Sequence, residues 1–204
     1  MSTPPLTAAE RARTVFKKHG GLLRMATAVR AGVHRNTLKQ LVEKGDVQRV
    51  SRGLYQLADA PSPPHPDLAV VAAKAPEGVI CLISALSFHE LTTQIPHEVY
   101  LAIERNCEPP RITYPPVRCF RFSGPAFSQG IETHRIGPVA VRIYSREKTL
   151  ADCFKYRNKL GLDTCLEALR MYRSRRGYNV DALLKYAAVC RVTKVMRPYL
   201  EALG

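Results

Sequence analysis

The sequence predicts an α+β fold in two domains, the second of which ends in a helical half. Apolar residues at helical spacing, followed by two short strand-like runs, fill the first 59 residues. A proline-rich stretch comes next, and strand-like runs separated by turn residues then lead into renewed helical spacing. With 204 residues, the chain is long enough for two small domains.

The first predicted helix covers residues 8–18. Thr7 and Glu10 have the spacing of a capping box, in which each side chain accepts a hydrogen bond from the backbone amide of the other residue. Gly20 and Gly21 end this helix. Two shorter helices are predicted next, over residues 25–31 and 35–44.

A glycine-containing turn and a hairpin complete the first domain. Residues 32–34 form the turn between the second and third helices, and Gly45 caps the third helix at its C-terminus. The hairpin strands are predicted over residues 47–50 and 54–57. This order of elements predicts an N-terminal winged helix-turn-helix, a structure that places a short helix in the DNA major groove.

The third helix separates apolar from polar residues. A rotation of about 100° per residue puts Leu38, Leu41 and Val42 on one side. Asparagine and glutamine can donate to and accept from the edge of adenine, while lysine and arginine suit guanine or phosphate. The opposite side carries the predicted DNA-binding residues Arg35, Asn36, Lys39 and Gln40. The alternative is an ordinary solvated helix face.

Residues beside this helix extend the predicted interface. His34, at the helix start, is expected to cap the helix or touch phosphate. Arg49 and Arg52 flank the hairpin turn, where a guanidinium can contact phosphates or enter a narrow minor groove. Solvation of an exposed hairpin tip is the alternative for Arg52. Tyr55 is expected to pack beneath the hairpin.

The charge of the chain favours a polyanionic partner. The formal net charge is +14, and residues 1–59 contain 11 Lys and Arg against 4 Asp and Glu. Charge density in this part is more than twice that of the remainder. Such a balance is typical of nucleic-acid-binding proteins, although a merely basic, soluble surface is the alternative.

A linker separates the two predicted domains. Residues 60–66 contain four prolines, which predict an extended polyproline segment. The first domain therefore covers residues 1–59 and the second residues 67–204. In the second domain, Asp67 is predicted to cap a helix that ends at Lys74, and another helix is predicted over residues 84–89.

The rest of the second domain is predicted as strands followed by helices. Gly137 and Pro138 can turn two of the strands into a hairpin. Ser145, Asp163, Asn179 and Thr193 are placed to begin the helices of the C-terminal half, the first of which ends at about residue 159. The predicted strands are 99–103, 117–122, 131–136 and 139–144.

No metal, cofactor or membrane site is predicted. The six cysteines form no Cys-x-x-Cys pair, so we expect small buried side chains in a reducing compartment. The chain starts without the basic and apolar runs of a signal peptide, and no apolar run is long enough to cross a membrane. A cytoplasmic protein is expected.

The sequence also contains residues that fit two other functions. A nuclease-like site could be assembled from Glu90, Glu104, Glu147, Lys148, Asp152 and Lys155. However, no Glu-x-Lys ends a predicted strand, and phosphate-binding and nucleophile motifs are missing, so no catalytic residue is predicted. A ligand-responsive repressor without a toxin partner is the second alternative. Its pocket would be lined by the aromatic residues Tyr100, Tyr114, Phe120, Phe122 and Phe127, which otherwise form core.

Residues 20–57 resemble the N-terminal winged helix of the AbiEi family of antitoxins. The residues that carry this resemblance are Leu38, Leu41, Lys44-Gly45 and Arg49-Val-Ser-Arg-Gly-Leu-Tyr55. Three later segments resemble the C-terminal domain of the same family. They are Ile83-Ser-Ala-Leu-Ser-Phe-His-Glu-Leu91, Pro96-His-Glu-Val-Tyr-Leu-Ala-Ile103 and Ser145-Arg-Glu-Lys-Thr-Leu-Ala-Asp-Cys-Phe-Lys155.

This resemblance implies the antitoxin of a two-gene abortive-infection operon used in phage defence, whose toxin is similar to nucleotidyltransferases. It implies repression of that operon through inverted repeats in double-stranded DNA, with two copies of the chain on one operator. The winged helix would supply the DNA contacts and the second domain the antitoxicity. No catalytic residue is implied.

Overall fold

A computed structural model describes residues 6–60 and 64–202 of the chain. The described residues form a mixture of helices and strands with one three-stranded and one five-stranded sheet. They divide into two compact units. The first contains the described residues up to 74 together with 135–140, and the second contains residues 75–134 and 141 onward.

The first unit contains four helices and an antiparallel sheet of order β1-β3-β2. Its helices are α1 (Ala8–Lys18), α2 (Met25–Arg30), α3 (Arg35–Glu43) and α4 (Pro66–Lys74). Its strands are β1 (Leu22–Arg24), β2 (Val47–Ser51) and β3 (Leu54–Leu57).

The first three helices and the hairpin lie where the sequence predicts them. The capping box is confirmed, because the Thr7 amide donates to Glu10 Oε2 at 2.7 Å and the Glu10 amide donates to Thr7 Oγ1 at 3.3 Å. Phe16, Leu38 and Leu41, each at most 2% exposed, form part of the core between the helices and the sheet. Apolar burial along one side of each helix therefore holds this unit together.

Strand β1 was not predicted. It has only three residues, too few to show the alternation that identifies a strand. Its backbone pairs with β3, with Leu22 opposite Gln56 and Arg24 opposite Leu54. It thus turns the predicted two-stranded hairpin into a three-stranded sheet.

Helix α4 belongs to the first unit, although the sequence places residues 67–204 in the second domain. It packs against β2 and buries its residues from Leu68 to Ala72. Asp67 lies within its first turn instead of capping it. Residues 61–63 of the predicted linker lie outside the described residues, and the domain boundaries stay a prediction.

Most of the mixed sheet of order β6-β5-β4-β8-β7 belongs to the second unit, whereas residues 135–140, at the turn between β7 and β8, belong to the first. The central strand β4 of this sheet is antiparallel to β5 and parallel to β8, while β5 and β6 are parallel. The strands are β4 (Val79–Ile80), β5 (Val99–Glu104), β6 (Val117–Phe122), β7 (Ile131–Ile136) and β8 (Val139–Tyr144). Strand β4 was not predicted because it has only two residues.

The other regular elements of this unit are helices. After β8, the described residues form five successive helices and no further strand. The helical C-terminal half is thus confirmed. The helices are α5 (Leu82–Phe88), α6 (Pro125–Ser128), α7 (Arg146–Lys155), α8 (Arg157–Leu160), α9 (Leu162–Arg173), α10 (Val180–Val189) and α11 (Thr193–Ala202).

Several predicted helix ends differ from the structure. Helix α5 begins two residues before Ser84, whose hydroxyl is buried and accepts a hydrogen bond from the Tyr100 amide at 2.9 Å. Helix α7 ends at Lys155, and α8 is a separate turn. Asp163 lies inside the first turn of α9 because Gly161 occupies the N-cap.

Other predicted helix starts are confirmed. Ser145 Oγ accepts a hydrogen bond from the Lys148 amide at 3.3 Å, and Asn179 Oδ1 accepts one from the Ala182 amide at 2.9 Å.

Pro198 lies inside α11, beyond the first turn to which proline is usually restricted. Four cysteines are buried as expected, whereas Cys107 is exposed and Cys119 is half-buried.

Helix α7 lies at the centre of the second unit. All seven residues from Lys148 to Phe154 are buried, and the helix contacts α5, α9, α10 and α11. Because α7 is surrounded by other helices, its polar residues Lys148, Thr149 and Asp152 are buried as well. Buried polar groups are costly unless they have partners.

The second unit should lose stability as the pH falls below about 6.5, which is the ordinary pKa of a histidine side chain. His89 is 7% exposed, and its Nε2–H donates to the Tyr144 carbonyl at 2.8 Å. Burial lowers the pKa of His89, against the opposing effects of this hydrogen bond and of Glu132, while Arg146 and His134 reinforce the lowering. The unfolded chain therefore binds the proton more readily, so acid favours unfolding.

Urea unfolding across this pH range tests the prediction. Wild type should lose stability as the pH falls, and His89→Gln should show a flatter pH dependence because it retains a donor for the Tyr144 carbonyl without a titrating ring. If the free energy of unfolding changed equally with pH in the two proteins, the assignment to His89 would be contradicted.

None of the helices in the described part of the chain is long and apolar enough to cross a membrane.

Candidate nucleic-acid interface

The turn between α2 and α3 positions the start of α3. Gly32 has φ +85°, a left-handed conformation that glycine adopts without steric cost. Val33 follows and is buried at 5% exposure. His34 is the N-cap, and its Nδ1 accepts a hydrogen bond from the Asn36 amide at 3.3 Å. Of the two roles expected for His34, the structure shows helix capping.

The two sides of α3 differ as the sequence predicts. Leu38 and Leu41 anchor the helix in the core at 2% and 1% exposure. Lys39 Nζ lies 3.7 Å from Glu43 Oε1, one turn further along the outer side. The four side chains proposed to contact DNA are all exposed, namely Arg35, Asn36, Lys39 and Gln40. Their contact with DNA stays a prediction.

The β2–β3 hairpin presents two arginines beside α2 and α3. Arg49 lies in β2, Arg52 lies at the turn, and both are exposed. Gly53 has φ +74°, and its carbonyl accepts a hydrogen bond from the Met25 amide at 2.8 Å. This bond ties the hairpin turn to the first residue of α2. Tyr55 is 8% exposed and packs in the core, as predicted.

Arg24 is a candidate contact residue that the sequence reasoning missed. It ends β1, pairs with Leu54 of the hairpin, and has an exposed side chain. Its position became apparent only with β1 itself. The apolar pair Leu22-Leu23 after two glycines was the available signal, since such a run beside a turn is compatible with a short strand.

The carboxylates of residues 1–59 are all engaged locally. Glu10 belongs to the capping box, and Glu43 pairs with Lys39. Arg13 Nη1 lies 2.7 Å from Asp46 Oδ1, and its Nη2 lies 2.6 Å from Asp59 Oδ2. The other nine Lys and Arg residues of this segment form no salt bridge within the described residues. Their uncompensated charge gives the first unit a positive potential.

The residues of the nuclease alternative have separate contacts. Glu147 accepts a hydrogen bond from the Tyr172 hydroxyl at 2.6 Å, which raises the pKa of that hydroxyl beyond the effect of burial. Glu90 pairs with Arg175 at 3.2 Å. Asp152 pairs with Lys148 in the core. Within residues 6–60 and 64–202, no group of three potential ligands could hold a metal ion.

The aromatic cluster of the ligand-binding alternative is mostly core. Phe120 and Phe122 are buried, and they stack on Tyr100 and Tyr144 with ring centroids 5.5 and 5.8 Å apart. Tyr114 is 70% exposed. Of the five residues, Phe127 alone lines an apolar cavity of the second unit.

Comparisons with known proteins agree with this description. Residues 10–58 match the family model described as a transcriptional regulator, AbiEi antitoxin. The crystal structure of the RV2827C protein from Mycobacterium tuberculosis superposes with a TM-score of 0.53 over 98% of this chain and 83% of that chain. Its sequence identity is 12%, so this likeness concerns the fold alone. No curated protein sequence matches the chain significantly.

The matched segment begins in α1 and ends after β3, and it therefore contains every residue of the candidate interface. The N-terminal part of this chain is thus similar to the AbiEi antitoxin transcriptional regulators over residues 10–58.

Proposed function

We propose that this chain is a sequence-specific DNA-binding antitoxin that represses its own toxin–antitoxin operon. The observation that carries the proposal is the outer face of α3, where exposed cations flank two exposed amide side chains within the segment that matches the AbiEi family. In this proposal the elements from α1 to β3 form a winged helix-turn-helix. Helix α3 enters the major groove, and the β2–β3 hairpin is the wing.

Base recognition is assigned to the two amides. Asn36 and Gln40 lie one turn apart on α3, so both can face the same groove. Each can bind the N6 and N7 edge of adenine with two hydrogen bonds. Arg35 and Lys39 bind guanine edges or phosphates, and Arg49 and Arg52 bind phosphates or a narrow minor groove from the wing.

The operator is double-stranded DNA with inverted repeats, and two copies of the chain occupy its arms. Residues 1–59 supply the DNA contacts, and residues 67–204 counteract a nucleotidyltransferase-like toxin in the cytoplasm. Co-expression with the neighbouring gene tests the second part. The proposal predicts that the neighbour alone arrests growth and that this chain restores it, whereas a harmless neighbour would remove the antitoxin assignment while leaving repression intact.

Salt dependence tests the DNA contacts themselves. If about six phosphates are neutralised, affinity should fall by about 10³-fold between about 50 and 200 mM salt. Removing both wing cations with Arg49→Gln and Arg52→Gln should reduce the slope of log affinity against log salt by about 2. The control is Lys17→Gln with Lys18→Gln, which removes the same charge from the exposed end of α1. A flat salt series, or equal slope changes in the two variants, would contradict this interface.

A cavity favours the second candidate, a ligand-responsive repressor. It lies in the second unit and measures about 380 Å³. Its lining includes apolar Pro76, Ile103, Pro110 and Phe127, and its charged residues are Glu77, Glu104, Glu108 and Arg142. This volume is within the range of small-molecule sites. The co-expression experiment separates the two candidates, because a repressor of this second kind has no toxin to counteract.

A further inference from the structure

A second cavity of the second unit has a strongly basic lining. It measures about 610 Å³, and its charged residues are Arg105, Lys155 and Arg191. Ser123 and Gln129 also line it, and no lining residue is acidic. The three cationic side chains are exposed and form no salt bridge or hydrogen bond to any residue that the structure describes. Lys155 is close enough to the buried carboxylate of Asp152 to interact with it electrostatically, without forming a salt bridge.

Arg191 occupies a backbone position that disfavours arginine. Its φ is +60°, directly after α10 ends. The Val192 amide donates to the Ala187 carbonyl at 2.8 Å and the Arg191 amide to the Ala188 carbonyl at 3.0 Å, which is the pattern of a Schellman motif. Glycine is usual at this position because a Cβ is strained there. The Arg191 side chain is exposed, so burial in the core does not compensate the strain.

Strained residues at the rim of a cavity are typical of ligand sites. We propose that this cavity binds a ligand that carries two adjacent phosphate groups, held by Arg105, Lys155 and Arg191. Guanidinium groups bind phosphate oxygens with paired hydrogen bonds, and lysine adds a point charge. Ser123 and Gln129 supply neutral donors beside them.

The number of cations determines the class of ligand. One phosphate monoester carries a charge of roughly −1.5 to −2 at neutral pH, which is less than three cations provide. Two adjacent phosphates match the three charges better. Such a pair exists in a nucleoside diphosphate, and the cavity volume suits a ligand of nucleotide size. Each linkage of a nucleic-acid strand carries a single charge, so two consecutive linkages match three cations less well.

Calorimetric titration of the full chain with pyrophosphate, ADP and a short single-stranded oligonucleotide tests the site. Arg191→Gly is the informative variant because it relieves the backbone strain while removing one cation. Its thermal midpoint should rise, and its binding should fall at least tenfold. Arg176→Gln is the matched control, since Arg176 is an exposed arginine that precedes the opposite end of α10.

Each outcome decides a point. Binding of pyrophosphate and ADP that Arg191→Gly abolishes supports a nucleotide ligand, whereas binding of the oligonucleotide alone would overturn the assignment to a diphosphate group. The proposal is overturned if no probe binds, if Arg191→Gly binds like wild type, or if Arg176→Gln weakens binding equally. Tighter binding of a polyglutamate peptide would also overturn it. The α3 variant Asn36→Ala with Gln40→Ala should leave binding unchanged, so this test is independent of the operator.

Discussion

Replacing Lys148 with methionine is expected to lower the free energy of unfolding of the second unit by about 3 to 5 kcal/mol. Lys148 Nζ lies 2.5 Å from Asp152 Oδ2, and the two side chains are 0% and 1% exposed. Burial raises the pKa of Asp152, and the charge of Lys148 opposes that rise. Methionine would leave the carboxylate in the core without its ion partner, which is the costly state.

The surroundings of the pair explain why the loss should be large. Lys148 Nζ also lies 4.0 Å from the ring centroid of Tyr144 and 5.0 Å from that of Phe122. The Cys190 thiol donates to Asp152 Oδ1 at 3.1 Å, and burial together with Asp152 raises the pKa of that thiol to about 12. The aromatic faces stabilise the positive charge of Lys148, and the thiol hydrogen bond stabilises the negative charge of Asp152. The surroundings therefore favour the ionised form of both side chains.

Urea unfolding of the single and double variants measures this effect. Lys148→Met with Asp152→Leu should recover most of the lost stability, because apolar residues of similar volume often replace a buried ion pair without net loss. Unchanged stability of Lys148→Met would show that the pair is not a structural element. Equal losses in the single and double variants would assign the effect to packing instead of charge.

Replacing Asn36 and Gln40 together with alanine is expected to remove about 2 to 6 kcal/mol of sequence discrimination, at about 1 to 3 kcal/mol for each residue. Both residues are exposed on α3, and alanine has the higher helix propensity, so folding should not suffer. Affinity for the operator should fall roughly 30-fold or more, whereas affinity for a random duplex should change little because phosphate contacts remain.

Titration of both duplexes at one salt concentration provides the measurement. Asn158→Ala is the matched control, since it removes an exposed amide from a helix of the second unit. It should behave like wild type on both duplexes. Equal losses on operator and random DNA would show that Asn36 and Gln40 do not read bases.

Local patterns predicted the first unit well. The capping box at Thr7 and Glu10 depends on residues three apart, and the helices that follow end at glycines with positive φ. Strands β1 and β4 were not predicted because three and two residues are too few to show the alternation of a strand. Their formation depends on pairing with strands distant in the sequence, which is a tertiary effect.

Features created by tertiary packing were missed for the same reason. The spacing of Lys148 and Asp152 fits an exposed helical ion pair as well as a buried one, and only the helices around α7 decide between them. Similarly, Arg105, Lys155 and Arg191 lie far apart along the chain and meet at one cavity. By contrast, the polar face of α3 is contiguous in sequence, and amphipathic spacing was sufficient to predict its exposure.

A footprint of the chain on the DNA upstream of its own gene tests sequence-specific operator binding most directly. Two protected half-sites should be visible, with centres separated by about one helical turn of 10 to 10.5 base pairs or a multiple of it. Protection should disappear in Asn36→Ala with Gln40→Ala at concentrations where wild type is fully bound. Uniform protection along the fragment, or none at all, would contradict specific recognition by α3.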